Sequence, residues 1–194
     1  MLGERITDER SRGFAALIAQ EAVRLEGLVN DLLDYARQDD PDDGHTLLNE
    51  ALLYTAWNMV LDRADVQTVK LDLSILSGAQ VACRPERLRQ LLLNLFGNAL
   101  QAVPSEGTVR VMVTEGREMV TLKVQDTGAG FTQEAMKRAF DPFYTTRPSG
   151  SGLGLAVCRK IAEGCGGRIS AANADGGGAV ITVLLPFWRG RKRS

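Results

Sequence analysis

Asp126 opens the run Asp126-Thr-Gly128-Ala-Gly130 directly after the alternation Val120, Leu122, Val124. That spacing presents a carboxylate at the end of a strand, on a glycine-rich turn. Gly150, Gly152 and Gly154, with Ser151, Leu153 and Leu155 between and after them, mark a second flexible turn that leads into a helix, whose first backbone amides are a ready anion site. Asn94 and Asn98 stand one helical turn apart in an otherwise apolar stretch, so both amides project from one side of a helix. A buried amide without partners costs roughly 1 to 3 kcal/mol, so two on one face point to a polar group docking there. Neutral oxygen ligands suit a magnesium ion that already carries phosphate and water; the competing reading pairs both amides with the backbone of a neighbouring loop. Between the two glycine turns lie Phe140-Asp-Pro-Phe143 and then Tyr-Thr145-Thr146-Arg147, apolar anchors followed by phosphate-compatible groups. That is the composition of a lid over a nucleotide.

These residues need a scaffold, and the hydrophobic periodicity supplies one. From about Thr7 to Gln38, Ala15, Ile18, Ala22, Leu25, Val29, Leu32 and Ala36 recur at steps of three and four, widened by Phe14, Leu17, Leu28 and Leu33. A stripe this broad predicts a long helix that packs against other helices. The run Gln-Asp-Asp-Pro-Asp-Asp-Gly then breaks the pattern and predicts a domain boundary near residue 41. Beyond it the sequence predicts a helix capped by Asn49 and running to about Ala64, with Leu52, Leu53, Ala56 and Val60 buried. A strand over 66–74 and a short one over 79–83 come next, followed by a helix starting at Pro85 that carries Leu88, Leu91, Leu92, Leu95, Phe96, Ala99 and Leu100. A hairpin of 108–114 with 119–125, a helix from Leu153 to about Cys165 and a final hairpin of 168–172 with 179–185 complete the pattern. Helices and strands in this order predict an α/β two-layer sandwich with one mixed sheet covered on one face, preceded by the long helix.

Composition narrows the function classes. The chain has 194 residues, 44% apolar and 24% charged, enough for one good core plus an appendage. A formal charge of −1 gives no global field for nucleic acid, and Arg189, Arg191, Lys192 and Arg193 form only a basic tail over 189–194. Cys83, Cys158 and Cys165 lack metal-ligand spacing, which with one histidine in the chain argues against a zinc site; the three read as reduced core residues. No apolar run approaches the roughly 18 residues that span a bilayer, so the expected location is cytoplasmic, with a larger parent free to be membrane-anchored.

Taken together the motifs resemble a known family. Leu-Leu-Leu-Asn94-Leu-Phe-Gly-Asn98-Ala resembles the N box, Asp126-Thr-Gly-Ala-Gly130 the first glycine box, Phe140-Asp-Pro-Phe143 the F box, and Gly150-Ser-Gly-Leu-Gly154-Leu155 the second glycine box of the sensor histidine kinase ATP-binding domain. Residues 46–186 resemble that domain throughout, and Arg24 to Arg37 resembles the second helix of the preceding dimerisation and phosphotransfer hairpin. The resemblance implies the Bergerat ATP-binding fold, with a mostly antiparallel mixed sheet, and a division into a partial hairpin (1–40), a catalytic domain (41–188) and the tail. It implies ATP and Mg²⁺ as ligands. Asp126 would accept from the adenine amino group, supported through water by Thr182, and Asn98 would coordinate magnesium with Asn94 alongside. Gly152 and Gly154 would let amides reach the phosphates, and Thr145, Thr146 and Arg147 would meet the γ-phosphate end.

The implied partners are a histidine-bearing dimerisation hairpin, a response regulator receiver domain and a second copy bound through the N-terminal helix. Gyrase-type members of the superfamily carry a glutamate base where Asn94 stands, and an amide cannot take that proton, which favours kinase over hydrolase. Gln101 stands where some relatives have a phosphate-binding lysine, and Arg84 where many have a capping aspartate. His45, in the linker, has no phosphoacceptor motif around it, so the resemblance implies an acceptor histidine outside this chain. A gyrase- or chaperone-like ATPase, an anti-sigma-type serine kinase and a nucleotide-regulated interaction module are the alternative readings.

Overall fold

A computed structural model describes residues 9–36, 44–62, 68–75, 78–103, 106–147 and 150–188. The chain divides into two compact units, residues 1–37 and 38–194. The predicted boundary near residue 41 and the basic tail lie outside the described residues. Within the first unit, α1 (Glu9–Ala36) is one uninterrupted helix. Its stripe stands open, with Phe14, Leu17, Ile18, Leu25, Val29, Leu32 and Leu33 all exposed. No helix among the described residues is long and apolar enough to cross a membrane.

The second unit is the predicted two-layer sandwich. Its elements are β1 (Thr46–Leu48), α2 (Glu50–Leu61), β2 (Val69–Ile75), β3 (Ala79–Val81), α3 (Pro85–Ala102), β4 (Gly107–Glu115), β5 (Met119–Asp126), α4 (Gln133–Arg138), α5 (Gly154–Gly164), β6 (Arg168–Asn173) and β7 (Ala179–Pro186). Five strands form one sheet in the order β2-β4-β5-β7-β6. Only β2 and β4 pair parallel, because α3 lies between them in the chain and returns it to the same edge of the sheet. The β4–β5 and β6–β7 pairs are antiparallel hairpins, as their spacing predicts.

Strand alternation turns one face inward. Val109, Val111, Val113, Val120, Leu122, Val124, Ile181, Val183 and Leu185 are buried, while Arg110, Met112 and Lys123 face away. On the inner face α3 packs against β5, and α5 against β6 and β7. Six large side chains of α3, Leu88, Leu91, Leu92, Leu95, Phe96 and Leu100, are buried, at roughly 1.5 to 3 kcal/mol each. This burial holds α3 in place although Arg84 offers no side-chain cap and Pro85 alone marks the helix start. Helix α2 leans on α3 through Leu53, Ala56 and Trp57, the last set edge-on to Phe96 with ring centroids 5.7 Å apart. Its N-cap is the predicted one, Asn49 Oδ1 accepting from Leu52 N–H at 3.0 Å.

Strand β1 was not predicted. It is three residues long, pairs with β3, and carries too few positions to show an alternation. β3 ends at Val81, short of the predicted Cys83, because the chain turns there to enter α3. Nearby the unit closes on itself: Phe187 bridges Val81, Trp188 N–H donates to Gln80 O at 2.9 Å, and His45 stacks on the Trp188 indole with centroids 3.8 Å apart.

Candidate active site

Asp126 ends β5 on the inner face and is 6% exposed, the only buried polar or charged residue among those described. Its Oδ1 accepts from Gly128 N–H at 2.8 Å and from Ala179 N–H at 3.1 Å, so one carboxylate oxygen knits the first glycine turn to the start of β7. Oδ2 takes neither bond and is left for a ligand donor. The approach of β7 depends on Gly178, which has φ +87°; a Cβ there would lie on the carbonyl oxygen of Asp126. The turn is fixed from the far side by Asn173, which accepts from Phe131 N–H at 2.7 Å and donates to Phe131 O at 2.9 Å. Sequence reasoning missed both Ala179, which acts through its backbone, and Asn173, whose place at the end of β6 is set by long-range pairing.

Asn94 and Asn98 lie half-buried on the same side of α3. Asn98 Nδ2 is fully buried and has no hydrogen-bond partner, an orphaned donor of the kind folded proteins rarely leave. It faces the start of α5: a Cβ built on Gly154 would stand 3.2 Å from it. Turning the amide over about its terminal torsion presents Oδ1 in the same place. One helical turn further on, the Ala102 carbonyl abuts Gly128, so the Asn98 end and the Asp126 end belong to one groove.

Arg147 closes over α3. Its Nη1 donates to Gln101 Oε1 at 2.8 Å and its Nη2 to Asn98 O at 3.2 Å. Partial burial lowers the guanidinium pKa, and the charge of Asp126 opposes that shift. Lid geometry around it is local. Thr145 Oγ1 accepts from Arg147 N–H at 3.1 Å, Gly150 N–H donates to Arg147 O at 3.2 Å, and Leu153 N–H donates to Ser151 Oγ at 3.2 Å. Gly152, at φ +69°, lets the second glycine turn touch the lid backbone, since a Cβ there would come 2.5 Å from Phe143 C.

The structure departs from two sequence expectations. Phe143 does not anchor the lid: its side chain is 65% exposed and its backbone is left-handed, at φ 64°. Phe140 is half-buried, and the observed side-chain contact in this segment is Arg138, which lies over the Tyr144 ring at 4.1 Å and makes ion pairs with Glu134 and Asp141. Thr182 is not brought to Asp126. It pairs with Lys123 and Ser170 on the outer face, because β7 turns its odd-numbered residues inward. Gly130 lies in the first glycine turn and Thr146 in the lid, while Leu155 is in the first turn of α5.

The groove offers a buried carboxylate at one end and, at the other, an orphaned amide, a helix N-terminus and a guanidinium, a set of groups that fits a nucleotide. Comparisons with known proteins show the family. Residues 83–189 match the family model described as "Histidine kinase-, DNA gyrase B-, and HSP90-like ATPase". Over 92% of its length the chain is 35% identical to "Sensor histidine kinase ZraS" of Klebsiella oxytoca, and over 87% it is 31% identical to "Sensor protein FixL" of Bradyrhizobium diazoefficiens. It spans 39% and 34% of those two proteins. Among solved structures, full-length ShkA in complex with AMPPNP superposes with a TM-score of 0.77 at 27% identity, covering 96% of this chain and 41% of that one. The catalytic domain of histidine kinase ThkA superposes with a TM-score of 0.66 at 26% identity, covering 74% of this chain and 95% of that one. The chain therefore belongs to the histidine kinase-, DNA gyrase B- and HSP90-like ATPase family, as an ATP-binding catalytic domain of the sensor histidine kinase kind.

Proposed function

We propose that this domain transfers the γ-phosphoryl group of ATP to a histidine supplied from outside residues 1–194. The observation that carries the reading is the orphaned Asn98 amide facing the α5 N-terminus, with Arg147 held beside it. Asp126 Oδ2 would accept from the adenine amino group, which selects the base. Gly152 and Gly154 leave room for backbone amides to approach the phosphates, and Arg147, hydrogen-bonded to Gln101, puts a cation where some relatives carry a lysine. Asn98, with Asn94 beside it, would hold a magnesium ion, whose chemistry is to neutralise phosphate charge as the bond to the leaving ADP breaks. The acceptor imidazole nitrogen would attack phosphorus in line, and the domain's task is positioning. Asn94 cannot deprotonate water, which supports transfer over hydrolysis. The acceptor hairpin, the response regulator and a second copy packed along the exposed stripe of α1 are the partners this reading implies.

Two experiments test it. With ATP and magnesium the chain alone is expected to stay unlabelled, and adding a dimerisation hairpin that bears a histidine is expected to give labelling of that hairpin. Strong labelling of the lone chain that vanishes in His45→Ala would make the linker histidine the acceptor. Separately, Asn98→Ala is expected to abolish most of the tightening of ATP binding by magnesium while leaving thermal stability nearly unchanged, since the deleted amide nitrogen has no partner to lose. Calorimetric titrations with and without the ion read the first effect; an unchanged magnesium response would place the ion elsewhere.

A further inference from the structure

Helices α3 and α5 run antiparallel, as three close approaches along them show. Asn98 faces Gly154 at one end, Cys158 Sγ donates to Leu91 O at 3.8 Å in the middle, and Cys83 meets Cys165 at the other end. The sulfurs of this last pair are 2.7 Å apart and buried, close to the bonded distance of about 2.05 Å. Cys83 is held where the chain enters α3, its carbonyl accepting from Thr46 Oγ1 at 2.6 Å; Cys165 caps α5. The third thiol is insulated. Cys158 is spent on a backbone carbonyl, and burial pushes its pKa far up.

We propose that Cys83 and Cys165 are a reversible disulfide site, oxidised by thiol–disulfide exchange with an external small-molecule disulfide. Opening of the turn after α5, where Gly166 is left-handed at φ +75°, exposes Cys165. Its thiolate attacks one sulfur of the oxidant, forming a mixed disulfide and releasing one thiol. The Cys83 thiolate then attacks the Cys165 sulfur and displaces the second thiol. The two protein thiols give up two electrons and two protons, and the oxidant disulfide becomes two thiols. The new bond staples α3 to α5 about 22 Å of helix rise from Asn98, so stability changes while the phosphate end of the groove is untouched.

Incubation of the chain with oxidised glutathione, then denaturation, alkylation and mass spectrometry, tests this. Before alkylation the expected product is lighter by about 2 Da, the two hydrogens lost in forming the bridge. It takes one alkyl group where the reduced chain takes three, yields a Cys83–Cys165 peptide, reverts with dithiothreitol and melts at a higher temperature than the reduced form. Cys158→Ser is expected to behave like the parent, and Cys165→Ser to form no bridge. The proposal is overturned if the parent chain still takes three alkyl groups after prolonged exposure, if glutathione remains attached as a stable adduct, or if the bridge contains Cys158.

Discussion

Asp126→Ala is expected to lower ATP affinity about ten- to a hundredfold, the loss of a charge-assisted hydrogen bond. It should also cost the fold roughly 2 to 4 kcal/mol, because Gly128 N–H and Ala179 N–H lose their shared acceptor together. The two losses are separable. In Asp126→Asn the carbonyl oxygen can still serve both backbone donors, so stability is largely kept. The amide nitrogen then points at the base, where it meets the adenine amino group donor to donor. ATP binding should therefore stay weak while the denaturation midpoint recovers, and discrimination against GTP should fall. Equal ATP affinity in parent and Asp126→Ala would remove this carboxylate from the base site.

The turn before β7 is expected to give a graded series. Gly176 has open space around it, so Gly176→Ala should leave the urea midpoint almost unmoved. Gly177 also has open space but sits at φ +92°, so an alanine there bears only the backbone penalty of about 1 to 2 kcal/mol. Gly178 adds to a similar φ a steric overlap with the Asp126 carbonyl, and Gly178→Ala should cost about 3 to 5 kcal/mol and most of the ATP affinity. Out of a total stability of about 5 to 15 kcal/mol, that is a large share. Equal losses at Gly177 and Gly178 would show that the Asp126–β7 contact is not what sets the turn.

How far the sequence reaches can be read from these same residues. The α3 face and the two glycine turns were legible because each is written in consecutive positions, by a helical period or by residues that only a turn explains. The facing of Thr182 was not legible, because 179–185 is otherwise continuously apolar and only the pairing with β5 and β6 shows which residues turn inward. Ala179 was hidden because its contribution is a peptide N–H, which no side chain announces. Asn173 and the parallel β2–β4 pairing were hidden for a different reason: both depend on which distant strand lies alongside. Phe143 looks like an anchor by composition, and its left-handed backbone, pressed by Gly152, turns it out instead.

The stack of His45 on Trp188 brings the first and last described stretches of the 38–194 unit to one place, tied further by the Trp188–Gln80 bond and the Val81–Phe187 bridge. Mechanically, the unit is hung from a single point. A pull applied through both ends would load these few contacts first, ahead of β7, which ends two residues before Trp188. A load on either end therefore meets these contacts before it meets the turn that carries Asp126, at the far end of β5.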